Sequence, residues 1–298
     1  MAGLVSVNGQ ITPAAEGLIP AQDRGFLFGD AIYEMIAGRE GKLIDFAAHL
    51  ARLRRAAEIS RMAFPWTDQE LRFECEHLVG LTKFSQSALR IMITRGSSPS
   101  LRIEAGMQPN RYIYCLPSPL PAPAQYEMGL QLKAKKHPWN PRGPQLKSPN
   151  YLHAATAQAE VQAEGYDDVL WMNADAEFTE AGSANIFLIS RQGDLVEIAT
   201  PPPTAGILPG ITRARVMELL RRSQIPVTER SITSDELPRF DEGFVTSSLR
   251  GPFPVSRIDK HRLHSTRPQA VFQHILRLYR SWESHEGDGN QGDGSPLN

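Results

Sequence analysis

Polar and apolar residues alternate over several short stretches in the first third of the chain, as in strands with one buried face. The stretch LVSVNGQIT predicts a hairpin that turns at Asn8 and Gly9. AIYEMIAGREGKLI predicts a second pair of strands, which turns at residues 39–42, and ALRIMITRG and RYIYCLP have the same strand-like composition. We therefore expect a sheet in this part of the chain.

Two helices are predicted among these strands. Residues 45–60 carry apolar side chains at helical spacing behind Asp45, which occupies the N-cap position. A second helix begins at TDQE, where Thr67 and Glu70 form a capping box. Strands and helices in this arrangement predict a mixed α/β domain at the N-terminus.

A proline-rich segment, CLPSPLPAPAQ at 115–125, interrupts this pattern. Prolines remove backbone donors and favour an extended connector, so we place a linker there between an N-terminal domain at 1–114 and a C-terminal domain at 126–283. The final segment, 284–298, is rich in Gly, Asp and Asn and nearly free of apolar side chains. We expect it to be a disordered tail.

The second half of the chain again mixes helix and strand patterns. YLHAATAQAEVQAEG predicts a helix that ends at Gly165, while DDVLWMN, NIFLIS and LVEIAT predict strands between polar turns. The expected fold class is therefore α+β, with mixed α/β character in both domains.

Chain length, net charge and cysteine pattern exclude several classes of protein. The 298 residues can build two domains without disulfides or metals, and 32 basic against 33 acidic residues give a net charge of -1. That balance lacks the positive field of a general nucleic-acid or membrane-surface protein. Cys75 and Cys115 form no CxxC pair or Cys/His cluster, so no metal site is expected. No signal-like start or long apolar run is present, and we expect a cytoplasmic protein whose partners are small molecules.

Lys147 is the first candidate catalytic residue. It precedes a Pro-Asn step and a predicted helix in LKSPNYLHAATAQAE. Most lysines are solvated surface charges, but desolvation in a cleft would lower the pKa of this amine and free it to form a Schiff base with an aldehyde.

A carboxylate could complement such an aldehyde cofactor. Glu180, in FTEAGSANIF, is either a solvated turn residue or a strand-end carboxylate aimed at a pyridine nitrogen. Asn185 in the same stretch could equally be a plain turn residue.

Phosphate-binding candidates occur in two further stretches. In GILPGITRARVMELL, the N–H groups of Ile211 and Thr212 and the Thr212 hydroxyl could bind phosphate at a helix N-terminus. An ordinary turn with Thr212 as N-cap is the alternative. Ser247 and Ser248 in TSSLRG offer hydroxyls, or are ordinary turn residues.

Arg52 is the remaining phosphate candidate. It borders the apolar face of the first predicted helix. A guanidinium there either binds phosphate through bidentate hydrogen bonds or remains a solvated surface charge.

Taken in order, five stretches resemble the signatures of the class IV aminotransferases, which include branched-chain and D-amino-acid aminotransferases and aminodeoxychorismate lyase. The resemblance covers roughly residues 5–260. The stretches are DRGFLFGDAIYE, HLARL, KSPNYL, EGYDDVLWMN with TEAGSANIF, and LPGITR.

This resemblance implies a two-domain fold type IV enzyme, with a smaller N-terminal α/β domain and a larger C-terminal domain built on a barrel-like sheet. It also implies a homodimer and the cofactor pyridoxal 5'-phosphate (PLP). Lys147 would form the Schiff base and Glu180 would pair with the pyridine nitrogen. The other implied ligands are Arg52, Ile211, Thr212 and Ser248 for the phosphate, Tyr151 for the phenolic oxygen, and Tyr33, Arg95 and Arg102 for substrate.

The chain departs from the family pattern at three places. Ala181 stands where the family usually has Gly, and TRGSSPSLR lacks the Arg-x-His ending of the D-amino-acid enzymes. TSSLRGPFPV lacks the small and acidic run of the branched-chain and D-amino-acid enzymes and is closer to the lyases.

The expected activity is PLP-dependent transamination between an amino acid and a 2-oxo acid, of the branched-chain or D-amino-acid type. The alternative is aminodeoxychorismate lyase, which releases pyruvate and leaves 4-aminobenzoate. A non-catalytic relative is disfavoured, because the retained Lys, Glu and phosphate ligands would have no joint purpose without the cofactor.

Overall fold

A computed structural model gives the fold and describes residues 3–138, 145–193, 195–285 and 287. The chain forms two compact units. Unit 1 contains Met1–Leu120, Leu146–Asn150 and His285–Asn298, and unit 2 contains Pro121–Gln145 and Tyr151–Ser284. Unit 1 is therefore assembled from separate pieces of the chain.

Unit 1 is built on an antiparallel six-stranded sheet in the order β2-β1-β6-β5-β3-β4. Its strands are β1 Leu4–Val7, β2 Gln10–Pro13, β3 Ala31–Arg39, β4 Lys42–Leu43, β5 Gln86–Thr94 and β6 Asn110–Pro117. Both predicted hairpins are confirmed. Their turns place Asn8, Gly9, Glu40 and Gly41 at positive φ, which glycine adopts without strain.

Three helices accompany this sheet: α1 Arg24–Phe28, α2 Phe46–Ile59 and α3 Asp68–Thr82. Apolar side chains of α2 and α3 pack with those of β3, β5 and β6 in one core. The capping box of Thr67 and Glu70 is confirmed at the start of α3. The predicted N-cap position of Asp45 on α2 is confirmed, although Asp45 has φ 51° and its side chain makes no capping hydrogen bond.

A buried carboxylate anchors the start of α1. Asp23 is fully buried and accepts hydrogen bonds from the Gly25 N–H at 2.8 Å and the Thr94 hydroxyl at 2.8 Å. It also accepts from the Asn110 amide at 2.7 Å and the Tyr112 hydroxyl at 2.8 Å. Because its donors lie on α1, β5 and β6, this one side chain fixes the helix against the sheet.

Unit 2 contains a closed sheet. Its strands are β7 Leu130–Lys136, β8 Asp168–Met172, β9 Phe178–Ala181, β10 Asn185–Gln192, β11 Leu195–Thr200, β12 Val227–Glu229, β13 Glu242–Ser247, β14 Gly251–Ile258 and β15 His261–Arg262. Six of them follow the order β10-β13-β14-β7-β8-β9, and a β9–β10 pairing at Glu180 and Asn185 closes the ring. The expected barrel-like sheet is confirmed.

Helices complete unit 2: α4 Pro123–Met128, α5 Leu152–Ala163, α6 Ile211–Arg222 and α7 Val271–His285, the last of which ends at the unit boundary. Apolar side chains from β7 to β10, β13 and β14 fill the core. The Phe244 ring stacks on Phe187 with centroids 4.7 Å apart and contacts Phe272 of α7 at 5.5 Å, so the helix packs on the sheet through aromatic side chains.

The domain boundaries differ from those expected. The segment at 115–125 is extended only in part, because β6 continues to Pro117 and α4 begins at Pro123. Residues 146–150 belong to unit 1, although the sequence placed them in the C-terminal domain. Of the expected disordered tail, Ser284 and His285 lie in α7. Residues 286 and 288–298 lie outside the described residues.

Candidate active site

Lys147 lies in unit 1, beside the start of β3. The Lys147 carbonyl accepts a hydrogen bond from the Tyr33 N–H at 3.0 Å, and the Lys147 Nζ lies 4.8 Å from the centroid of the Tyr33 ring. Gly29 has φ +67°, and a Cβ there would lie 2.0 Å from the Asn150 side-chain oxygen. The close approach requires glycine, so the DRGFLFGDAIYE and KSPNYL signatures pack together.

Tyr33 is almost fully buried, and its ring contacts two cations. Besides Lys147, the Arg90 guanidinium lies 4.9 Å from the ring centroid. Such cation–π contacts favour a fixed position for the amine. A direct substrate role for Tyr33 stays a prediction.

Arg52 binds a buried carboxylate of the same unit. Its Nε and Nη2 each donate to Glu34 at 2.7 Å, in the bidentate geometry of an arginine–carboxylate pair. The His49 Nδ1 lies 2.7 Å from Glu34 Oε2, the oxygen that also accepts from Arg52 Nη2, and both Glu34 and His49 are 1% exposed. The helix therefore does turn Arg52 inward, as its place beside the apolar face of α2 suggested.

Burial of Glu34 by itself would raise the pKa of this carboxyl. The charge and hydrogen bonds of Arg52, with the hydrogen bond to His49, outweigh that effect and lower the pKa of Glu34 to about 2. Glu34 is thus ionised throughout the neutral range and holds Arg52 in a single orientation. Neither Glu34 nor His49 was selected from the sequence, although Glu34 ends the first signature and His49 lies one helical turn from Arg52.

The two arginines proposed for substrate have different surroundings. Arg95 is 7% exposed and donates to both oxygens of Asp30 and to the carbonyls of Ser60 and Arg61. These bonds give Arg95 a structural function in unit 1. Arg102 is exposed in the loop after β5. Substrate binding by either side chain stays a prediction.

Glu180 lies in unit 2 and is held at one carboxylate oxygen. The Asn185 amide donates to Glu180 Oε2 at 3.0 Å, and the Leu208 N–H donates to the same oxygen at 3.1 Å. The Asn185 amide also donates to the Leu208 carbonyl at 3.0 Å. Glu180 is therefore a hydrogen-bonded strand residue rather than a solvated turn residue, and Asn185 links it to the loop before α6.

The N-terminus of α6 follows Leu208 directly. Gly210 is its N-cap, with φ -72° and ψ 131°, and no side chain caps the helix. The alternative in which Thr212 is the N-cap is wrong, because Thr212 is the second residue of the helix, where it is 5% exposed. The first N–H groups of a helix have no intrahelical acceptor, so Ile211 and Thr212 present donors suited to an anion.

Two remaining candidates also lie in unit 2. Ser248 is half-buried in the turn between β13 and β14, two residues beyond Thr246, which pairs with Asn185. Tyr151 occupies the N-cap position of α5 and is 38% exposed. The sheet thus brings Ser248 to the barrel end that carries Glu180.

Comparison with known proteins identifies the family. The model of the amino-transferase class IV family matches residues 31–258. The chain belongs to the class IV aminotransferases. Enzymes of this class depend on PLP, so the predicted family, enzyme class and cofactor are confirmed.

Individual relatives of this aminotransferase are distant but extend over most of it. D-alanine aminotransferase of Bacillus licheniformis is 29% identical over 273 residues, which cover 91% of this chain and 94% of the relative. The structure of the branched-chain amino acid aminotransferase of Escherichia coli covers 100% of both chains with TM-score 0.86 at 20% identity. A putative 4-amino-4-deoxychorismate lyase of Legionella pneumophila covers 90% of this chain and 96% of its own, with TM-score 0.77 at 26% identity. The fold type IV architecture is thus confirmed.

The chemistry of the predicted residues suits PLP: an amine at Lys147, an oriented carboxylate at Glu180 and, at the start of α6, a helix N-terminus without a side-chain cap. Within the described part of the chain, no group of three metal-ligating side chains occurs. None of the described helices is long and apolar enough to cross a bilayer.

The buried Glu34 leads to a stability prediction. Glu34→Gln should lower the free energy of unfolding at pH 7 by roughly 3 kcal/mol, because a pKa near 2 against an ordinary 4.5 corresponds to that energy. The folded pKa is depressed, so this contribution is present above about pH 4.5 and is lost as the pH falls towards 2. Urea unfolding of both proteins from pH 7 to pH 3 measures it.

Glu58→Gln is the matched control, since Glu58 is exposed on α2, the helix that carries His49 and Arg52. It should change the unfolding free energy by less than about 0.5 kcal/mol at every pH. A Glu34→Gln deficit that did not depend on pH would contradict the assigned pKa.

Proposed function

We propose that this aminotransferase uses Lys147 as the amine that bonds to PLP and as the base that moves the substrate proton. When bound, PLP supplies an aldehyde and an electron-accepting ring. Once the substrate amine had replaced Lys147 on the aldehyde carbon, the freed Nζ would take the proton from the substrate α-carbon and deliver it to that aldehyde carbon, C4′. The observation that carries the proposal is the Lys147 setting, in which Gly29, Asn150 and Tyr33 fix the lysine segment.

Glu180 is proposed as the partner of the pyridine nitrogen. Its carboxylate would keep that nitrogen protonated and so keep the ring able to accept electrons. The two donors to its Oε2 support this role, since they restrict the direction of the carboxylate.

The phosphate is proposed to bind at the N-terminus of α6. The N–H groups of Ile211 and Thr212 lie at the positive end of the helix dipole, and the Thr212 hydroxyl adds a donor. Ser248 and the Arg52 guanidinium are proposed as further phosphate ligands. Tyr151 is proposed to donate to the phenolic oxygen of the cofactor.

The proposed substrates are an amino acid and a 2-oxo acid. Branched-chain or D-amino acids are proposed as the amino donors, because the relatives are named as aminotransferases of these two types. A lyase that expels pyruvate is the second candidate. TSSLRG favours it, and so does the likeness to a structure described as a putative lyase.

A homodimer and a cytoplasmic location are part of the same proposal. The homodimer rests on the family resemblance. The cytoplasmic location rests on the composition, with two buried free cysteines in the described structure.

Lys147→Ala should abolish transamination and leave the fold intact, because a half-buried lysine adds little to stability. Wild-type protein loaded with PLP should show a near-visible absorbance band that borohydride bleaches, and the variant should not. Lys260→Ala, at an exposed lysine in the β14–β15 turn, is the control and should retain band and turnover. Normal turnover of Lys147→Ala would remove this residue from the mechanism.

Dependence on an oxo acid separates the two candidate reactions. A transaminase should convert amino donors only when pyruvate or 2-oxoglutarate is added, since the cofactor must be returned to its aldehyde form. A lyase should release pyruvate from aminodeoxychorismate without any oxo acid. Oxo-acid-independent pyruvate release, with no amino transfer in a donor screen, would overturn the transaminase proposal.

Arg52→Ala should weaken PLP binding by about tenfold to a hundredfold, the loss expected for a charge-assisted hydrogen bond to phosphate. The change also removes the partner of Glu34, so affinity is to be measured by titration of apoenzyme at a temperature where both proteins are folded. Arg55→Ala, at an exposed arginine of the same helix, should bind PLP normally. Equal affinities of the two variants would refute phosphate binding by Arg52.

A further inference from the structure

Asn185 lies where three strands of unit 2 meet. It is the first residue of β10, it is 5% exposed, and it pairs with Glu180 of β9 on one side and Thr246 of β13 on the other. The backbone of Asn185 therefore takes part in the closure of the barrel. Its side chain has separate partners.

Both ends of the Asn185 amide contact groups that the proposed function uses. Nδ2 donates to Glu180 Oε2 and to the Leu208 carbonyl, each at 3.0 Å. Oδ1 faces Gly210, where a Cβ would lie only 1.9 Å away. One side chain thus contacts both the carboxylate and the loop that leads into α6.

We propose that Asn185 is a positioning residue that holds the Glu180 carboxylate and residues 208–210 in one fixed arrangement. The inference rests on the proposed roles of Glu180 and of the α6 N-terminus, which would serve the ring nitrogen and the phosphate of one cofactor. The side-chain hydrogen bonds of Asn185 go to Glu180 and to the Leu208 carbonyl, so no direct contact with substrate is assigned to it. It acts through Glu180.

The amide group is required for this function. A glutamate side chain has several rotatable bonds, and a carboxylate that serves one ring atom must be kept close to its working direction. Nδ2 supplies two N–H groups, one for the carboxylate and one for the Leu208 carbonyl. An aspartate of the same shape would supply none and would add a second negative charge beside Glu180.

The control comes from a second asparagine in the same unit. Asn173, in the β8–β9 turn, is 7% exposed, and its Nδ2 donates to Glu177 at 2.7 Å. Its Oδ1 accepts from the N–H groups of Asp175 and Glu177 at 3.0 Å each. Asn173 is as buried as Asn185 and its amide is also hydrogen-bonded, but its bonds go to residues 175 and 177 rather than to Glu180, so Asn173→Ala reports the effect of losing a structural asparagine.

The test is a double-mutant cycle with two readouts, turnover and the PLP affinity of apoenzyme. Asn185→Ala should lower turnover about tenfold or more and weaken PLP binding, since it removes a hydrogen bond to a charged group. In the Glu180→Gln background the same change should cost less than about twofold in turnover, because residues that act through one group are not additive. Asn185→Asp should bind PLP more weakly than Asn185→Ala.

Each outcome decides the proposal. The positioning role would be overturned if Asn185→Ala lowered turnover equally with and without Glu180→Gln. It would also be overturned if Asn173→Ala lowered turnover as much as Asn185→Ala. In both cases the proposed role of Glu180 would stand. Unchanged turnover of Glu180→Gln alone would overturn the proposed role of Glu180 and the positioning role with it. A wild-type protein that bound no PLP would overturn the whole proposed function.

Discussion

The β9–β10 pairing at Glu180 and Asn185 is the point at which the sheet of unit 2 closes on itself. A strand edge left open carries unpaired N–H and C=O groups, and this pair joins the two ends of the six-strand path. The same pair places a carboxylate at a strand end, next to the loop that begins α6. The closure of the barrel and the direction of Glu180 therefore depend on the same two residues, and a change that opened the sheet there would also release the carboxylate.

Unit 1 is organised by buried carboxylates in a comparable way. Asp23 joins the start of α1 to β5 and β6 through four donors, and Glu34 joins β3 to α2 through Arg52 and His49. A carboxylate in the interior is unfavourable unless its oxygens accept hydrogen bonds, so each one requires its partners to stay in place. The first signature stretch begins with Asp23 and ends with Glu34, so its first and last residues are both buried carboxylates that join helices to the sheet.

Local signals made part of this structure predictable. Turns with glycine and the capping box at Thr67 depend on neighbouring residues, and both were correctly identified. Asp45 was correctly identified as the N-cap of α2, but its left-handed backbone and the absence of a side-chain capping bond are not revealed by the residue type. The partners of Glu34 lie on α2, and those of Asn185 lie on β9 and in the loop before α6. They are set by how these elements pack, which no spacing along the chain specifies. Family resemblance selected Lys147 and Glu180, but their hydrogen-bond partners emerged only from the fold.

The discontinuity of unit 1 has a consequence for biosynthesis. A ribosome that has released the first 120 residues has made the whole six-stranded sheet, yet the segment Leu146–Asn150 that packs at Tyr33 and Gly29 is still to come. The nascent sheet can form before the segment that carries Lys147 has been synthesised, and that segment would then pack onto strands that are already paired. The surroundings of Lys147 can be completed only after synthesis has moved into the second unit.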